Sequence, residues 1–203
     1  MSYKFYQGDL AKLDPKHQAF VIVQQVNCQG AMGAGLSGVL MDAYDDHKTF
    51  TPQLKRYYLM FINGRKDKDP NFQPKNLLGA VNTSKIGPKA YVTNIFGQEY
   101  YGRDGKHYTN EKALKHGLDR LFERMNQHPS VPVYIPDAIG AGLAGGNKVK
   151  IHHDIKELSG RYPDVKVCMV KLAPGKMKPA SQDLADDHVK KPKPDKTDDG
   201  PEM

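Results

Sequence analysis

Tryptophan is absent from this chain, and cysteine occurs only twice in 203 residues. Two thiols cannot supply a disulfide framework, and no Cys-x-x-Cys pair or Cys/His cluster points to structural zinc. Long apolar runs are missing as well: nowhere do the ~18 consecutive apolar residues of a membrane span occur. Residues 1–20 carry Lys4, Asp9, Lys12, Asp14 and Lys16, which argues against a signal peptide. Neither glycine-rich stretch ends in Gly-Lys-Ser/Thr, so a P-loop is excluded. These absences lead us to expect a cytoplasmic protein in a reducing compartment.

What is present divides near Leu172. One core usually serves ~100–200 residues, so the length favours one domain, expected over residues 1–172. From Ala173 to Met203 there are 13 charged residues, five prolines and no aromatic. Such a segment buries too little surface to offset its ordering entropy, and it reads as a disordered tail. Residues 1–172 hold 24 basic and 16 acidic residues, a net of +8. A basic body suits an anionic partner, though charge alone does not separate a nucleotide from a nucleic acid.

Within the body, short apolar runs alternate with helical periodicity. Tyr3 to Gly8, Phe20 to Val26, Leu77 to Thr83, Ala90 to Phe96, Val131 to Ile135 and Val165 to Leu172 read as strands. Leu114, Leu118, Leu121, Phe122 and Met125 lie on one face of an amphipathic helix. Ile151, Ile155 and Leu158 mark another, with Asn147 as candidate N-cap and Gly160 as candidate residue just past its end. Further helices are expected at 35–44 and 53–61, with a polar loop from Asn63 to Lys75. Strands alternating with helices imply a three-layer α/β/α domain with a mixed central sheet.

The most informative feature is a near-repeat. Gly33-Ala34-Gly35-Leu36-Ser37-Gly38 and Gly140-Ala141-Gly142-Leu143-Ala144-Gly145 each follow a predicted strand and precede a helical segment. Glycine permits positive φ and close ligand approach, and exposed N–H groups at a helix start attract anions. Two such loops at strand ends could grip a diphosphate from both sides. A dinucleotide-binding Rossmann domain fits poorly, because six residues, Asn27 to Met32, separate the first strand from Gly33. The acid expected ~20 residues further on is also missing.

Three segments carry a resemblance. They are Gln7-Gly8-Asp9-Leu10, Val26-Asn27-Cys28-Gln29-Gly30-Ala31-Met32-Gly33-Ala34-Gly35, and Tyr134-Ile135-Pro136 with Ile139-Gly140-Ala141-Gly142-Leu143-Ala144-Gly145-Gly146-Asn147. Over roughly residues 3–172 the chain resembles a macro domain, in particular small stand-alone members described as ADP-ribose-1″-phosphate phosphatases. Asn94-Ile95-Phe96-Gly97-Gln98 and Tyr101-Gly102-Arg103-Asp104-Gly105 are similar to the middle loop of that group.

The resemblance implies a cleft for ADP-ribose or a derivative, with no cofactor and no metal. Asp9, beside Leu10, would take the adenine amino group, although a Gly-Asp pair also simply closes turns. Gly33, Ala34, Gly35 and Leu36 would offer amides to the diphosphate, opposed by Ile139, Gly140, Ala141, Gly142 and Leu143. Asn27 and Gln29 would face the distal ribose, with Phe96 as a wall. Asn27 alternatively satisfies backbone groups at its strand end, and Phe96 alternatively belongs to the core.

A related branch uses a lysine in the middle loop. Here Gln98 falls near that position, and an amide cannot form a Schiff base. An acid that one protein-hydrolysing member carries after Gly-x-Gly-Leu is Ala144 here, and one extra residue separates Pro136 from Ile139. Attack by water remains, with Asn27 in the site and Asp104, His107 and Asp137 as candidate acids or bases. Cys28 reads as a packing residue, because no neighbouring base activates it. Three functions compete: hydrolysis of ADP-ribose-1″-phosphate or a related derivative, ADP-ribose binding without turnover, and ADP-ribosyl hydrolysis on modified protein or nucleic acid. A general nucleic-acid binder is disfavoured, since arginine-rich stripes with interleaved aromatics are absent, and a monomer is expected.

Overall fold

The computed structural model describes residues 3–44, 53–175 and 178–179. A continuous β-branched run makes β2 (Phe20–Asn27) the centre of the sheet, flanked on both sides by parallel strands. The seven-stranded order is β3-β4-β2-β5-β6-β1-β7. Here β1 is Tyr3–Gly8, β3 Val81–Lys85, β4 Ala90–Gln98, β5 Pro132–Pro136, β6 Lys166–Leu172 and β7 Lys178–Pro179. The edge pairs β3–β4 and β1–β7 are antiparallel and the rest parallel, so the sheet is mixed as the sequence predicts.

Alternation along β2 splits the core. Val21 and Val23 join one cluster with Leu114, Leu118 and Phe122 of α3 (Glu111–Met125) and Ile151, Ile155 and Leu158 of α4 (Lys148–Arg161). Ile22 faces the other side, with Leu40 of α1 (Leu36–Tyr44) and Leu54 of α2 (Gln53–Lys66). Val26 and Phe96 join a third cluster with Tyr58 and Ile62 of α2. The three-layer architecture is thereby realised. Asn110 and Asn147 cap α3 and α4 through bonds from Ala113 and Lys150 amides, both 3.0 Å.

Several boundaries differ from expectation, three of them for a visible reason. The helix expected at 53–61 runs on to Lys66, because Ile62 continues the buried stripe of Leu54 and Tyr58, and Arg65 sits 5.3 Å above the Phe61 ring. The strand expected from Leu77 starts at Val81, since Leu77 ends a 3-10 turn and Gly79, at φ +78°, redirects the chain. Gly160 lies inside α4 rather than beyond it, and the helix stops one residue before Tyr162-Pro163. Past Leu172, the Lys178–Pro179 backbone pairs with Gln7 and Tyr6 of β1. Residues 180–203, the bulk of the expected tail, lie outside the described residues.

Candidate functional site

Parallel strands end together, and at the carboxyl ends of β2, β4, β5 and β6 the chain leaves a cavity of about 750 Å³. Both glycine loops line it. Gly33, Ala34, Gly35 and Leu36 contribute from one side, and Ile139, Gly140, Gly142 and Leu143 from the other. The two meet: a Cβ built on Gly35 would lie 3.8 Å from the Leu143 Cδ1 atom.

The first loop earns its glycines locally. Gly33 and Gly35 sit at φ +129° and +58°, and a Cβ on Gly38 would come within 2.9 Å of the Gly33 carbonyl oxygen. No group among the described residues accepts from the N–H groups of Gly33, Ala34, Gly35 or Leu36. These amides open the first turn of α1 with its dipole behind them, which favours an anion. The second loop is more closed. Ala141 and Gly142 both donate to Ala138 O, at 3.0 and 3.2 Å, and Gly146 donates to Gly140 O at 2.9 Å. Ala141 is turned from the cavity; of the residues expected on this side, Gly140 and Leu143 line it with amides that make no bond to described residues, and Ala144, not expected, does the same.

Asn27 lines the cavity floor and also organises it. Its Nδ2 donates to Ala31 O at 2.6 Å, while Oδ1 accepts from the amides of Gln29 and Ala31 at 3.0 and 3.2 Å. The fully buried Tyr58 hydroxyl completes the cluster, accepting from Gly30 N at 3.2 Å and bonding Asn27 through both its carbonyl and its Oδ1. Burial pushes that phenol well above its ordinary range, so it stays a neutral donor. Beneath the loop a relay of amides runs from Ser37 Oγ to Gln24 (2.8 Å), Gln24 to Asn94 (2.7 Å), and Asn94 to Asn82 (3.3 Å).

Several expected site residues stand elsewhere. Phe96 is fully buried, stacked between Tyr58 and Phe61 with centroids 5.6 and 5.4 Å away, so it is core and not a cavity wall. Leu10 is likewise core. Asp9 caps a 3-10 turn through a 2.9 Å bond from Ala11 N and does not line the cavity. It does sit at the same sheet end, because Gly8 is in register with the lining residue Leu172. Gln29 is exposed, its side chain donating to Glu99 O at 3.1 Å.

The candidate acids and bases are also outside. Asp137 lies between lining residues Pro136 and Ala138 but points away from the cavity. Its carboxylate pairs with Lys148 at 2.5 Å and faces the buried His152 at 3.4 Å. Asp104 is tied to Lys106 at 2.9 Å and to the Tyr108 hydroxyl at 2.9 Å, which together hold its pKa down to about 2 and make it a weak base. His107 contacts Glu111 at 3.0 Å and the Thr109 carbonyl at 2.8 Å. Among the described lining residues there is no carboxylate, imidazole, thiol or ammonium. The Cys28 thiol is buried, which pushes its pKa up to about 12 and matches a packing role.

The lining also holds residues to which the sequence reading gave no site role, among them Tyr101 and Arg103. Arg103 is the cation of the lining, and its chain neighbour Asp104 is spent on Lys106 and Tyr108. Its position in a segment of the middle loop, beside Gly102, was the available signal. For metals, His153, Asp154 and Glu157 bring ligand atoms within 4.8 Å of one another on α4. Lys115, Lys150 and Arg161 already neutralise the two carboxylates, so that cluster is an ion-pair network.

No family model and no curated protein matches the chain. Solved structures do. A protein of unknown function from Bacteroides thetaiotaomicron superposes with a TM-score of 0.64 at 21% identity, over 85% of this chain and all of that one. A macrodomain protein from Streptomyces coelicolor gives 0.60 at 21%, over 83% of this chain and 99% of that one. A variant of the Oceanobacillus iheyensis macrodomain, solved with ADPR, gives 0.56 at 15%, over 84% and 86%. The chain therefore has the macro domain fold, as its glycine loops led us to expect. No described helix is long and apolar enough to cross a membrane.

Proposed function

We propose that this protein binds ADP-ribose or an ADP-ribose derivative in the cavity at the strand ends. The observation that carries this reading is the pair of glycine loops on one cavity, with uncommitted amides of Gly33–Leu36 on one loop and of Gly140, Leu143 and Ala144 on the other. Peptide amides in a water-poor cleft hold a diphosphate without needing a cation. Asn27 shapes the pocket beside the first loop, and Asp9, which follows Gly8 at the sheet end where Gly8 is in register with the lining residue Leu172, would accept from the adenine amino group.

Calorimetry with ADP-ribose, ADP and adenosine tests this. Binding should require the diphosphate, and Gly35→Val should weaken it at least ~10-fold, because a β-branched residue at φ +58° strains the loop and crowds Leu143. Equal affinity of the variant and the natural chain would refute the assignment.

A second reading, hydrolysis of ADP-ribose-1″-phosphate, is favoured by Arg103. A guanidinium is suited to bidentate contact with a phosphate monoester. In that reading water attacks phosphorus, the bond from phosphorus to the 1″ oxygen breaks, and the sugar oxygen leaves with a proton from solvent. The protein's share is charge stabilisation by loop amides and Arg103. Release of phosphate that falls with Arg103→Ala supports it; no release above background removes it and leaves the binding function standing.

A further inference from the structure

The loop after β4 and the second glycine loop meet at one buried side chain, beside the Tyr108 amide, which donates to Ala144 O at 2.8 Å. Thr109 is 4% exposed. Its hydroxyl donates to Gly140 O at 2.6 Å and accepts from Gln25 Nε2 at 2.9 Å. Its own amide donates to Ala144 O at 3.1 Å. Gly140 opens the second glycine loop and Ala144 closes it, so one residue holds both ends of the turn. Packing reinforces the grip, since a Cβ built on Gly146 would come within 2.9 Å of the Thr109 Cβ. Gln25 is fixed in turn, because the same Nε2 also donates to Gln98 Oε1 at 2.8 Å, tying the hub to β2 and β4.

We propose that Thr109 is a positioning residue that sets the second glycine loop for the diphosphate. The proposal rests on the nucleotide reading above. The hydroxyl is what matters in this arrangement: among the described residues it is the one donor to the Gly140 carbonyl besides the Gly146 amide, which bonds that oxygen at 2.9 Å. Without it, the loop keeps its Ala144 tether but loses the tether at its entry. The amides of Leu143 and Ala144 then no longer have one fixed aim, and the ligand must order them as it binds. The methyl group only fills space.

Thr109→Val keeps the volume and removes the hydroxyl, whereas Thr109→Ser keeps the hydroxyl and removes the methyl. Thr109→Val should weaken ADP-ribose at least ~10-fold in calorimetry, while Thr109→Ser stays within about twofold of the natural chain. Adenosine, titrated by NMR, should bind all three alike, because it has no diphosphate to misplace. Amide hydrogen exchange of the free protein should quicken in Thr109→Val at the hydrogen-bonded loop amides between Gly140 and Ala144, those of Ala141 and Gly142, and stay unchanged in α3 and α4. Equal ADP-ribose affinity in the two variants, or equal losses for adenosine and ADP-ribose, would overturn the proposal. So would unchanged exchange at Ala141 and Gly142. A natural chain that binds no ADP-ribose sinks the nucleotide reading instead, and the exchange comparison still decides the role of Thr109. If Thr109→Val does not fold, Thr109→Ala is measured against Thr109→Ser with the same outcomes.

Discussion

Tyr58→Phe is the sharpest probe of how the first glycine loop is held. The change deletes one oxygen and leaves the ring, which keeps its stack on Phe96 at 5.6 Å. Three contacts are lost, with Gly30 N–H, the Asn27 carbonyl and Asn27 Oδ1. Gly30 N–H lies in a partly exposed turn and can turn to water, so its loss costs little. The Asn27 carbonyl is buried and loses a donor. An orphaned buried acceptor costs ~1–3 kcal/mol. Asn27 Oδ1 retains the amides of Gln29 and Ala31, so the loop loosens without collapsing. A loss of ~2 kcal/mol lowers the Tm of a domain this size by ~4–8 °C. Ligand affinity should fall too, because the loop carrying Gly33–Leu36 springs from Asn27 and must then be ordered on binding. Thermal unfolding and calorimetry on one preparation measure both. A Tm within ~1 °C of the natural chain, where ~4–8 °C is expected, would refute the reasoning.

Other substitutions read separate features. Gly64→Ala in α2 meets nothing within 4 Å and should stabilise by ~0.5–1 kcal/mol through lost chain entropy. Gly38→Ala in α1 should do the opposite, since its Cβ would press on the Gly33 carbonyl oxygen at 2.9 Å; denaturant midpoints of the two variants should move in opposite directions. Both cysteines are buried, with thiols raised to about 12 for Cys28 and about 11 for Cys168. A thiol-specific reagent at pH 8 should therefore label neither until denaturant is added; rapid labelling of Cys28 in the native protein would contradict its packing role.

The glycine loops, the α3 stripe and the Asn147 cap were legible because each is local: spacing and residue type carry them. The misplaced residues fail for different reasons. Phe96 reads as a wall or as core with equal ease until α2 is seen to lay Tyr58 and Phe61 on its two faces. Asp137 is the instructive miss. Successive residues leaving a strand point to opposite sides, so with Pro136 and Ala138 on the cavity Asp137 turns to Lys148 and His152 of α4. Tyr58 was hidden in a helical stripe, where periodicity reports its ring and says nothing of its hydroxyl. Gln24 and Asn94 are polar residues inside apolar strands; only the sheet, which sets them side by side, shows that they satisfy one another.

That no carboxylate or imidazole stands among the described lining residues has a consequence for pH. An acid or base in contact with the ligand would switch charge and drag affinity with it. A histidine in that role would place an inflection near pH ~6.5, where unperturbed imidazole titrates. Here His107 is held by Glu111 and the Thr109 carbonyl, and Asp137 by Lys148, all outside the lining. Amides carry no titratable proton in this range. ADP-ribose affinity should therefore be flat between pH ~6 and ~9, as expected for a site without a group that titrates between these limits. A ligand with a terminal phosphate monoester behaves differently, because it gains its second charge near pH ~6. Its affinity should rise through that point if Arg103 reads the added charge, and the rise should vanish in Arg103→Ala. A bell or step in the ADP-ribose curve itself would mean that a protein acid or base reaches the ligand, and the division between an amide cradle and its outlying ion pairs would be wrong.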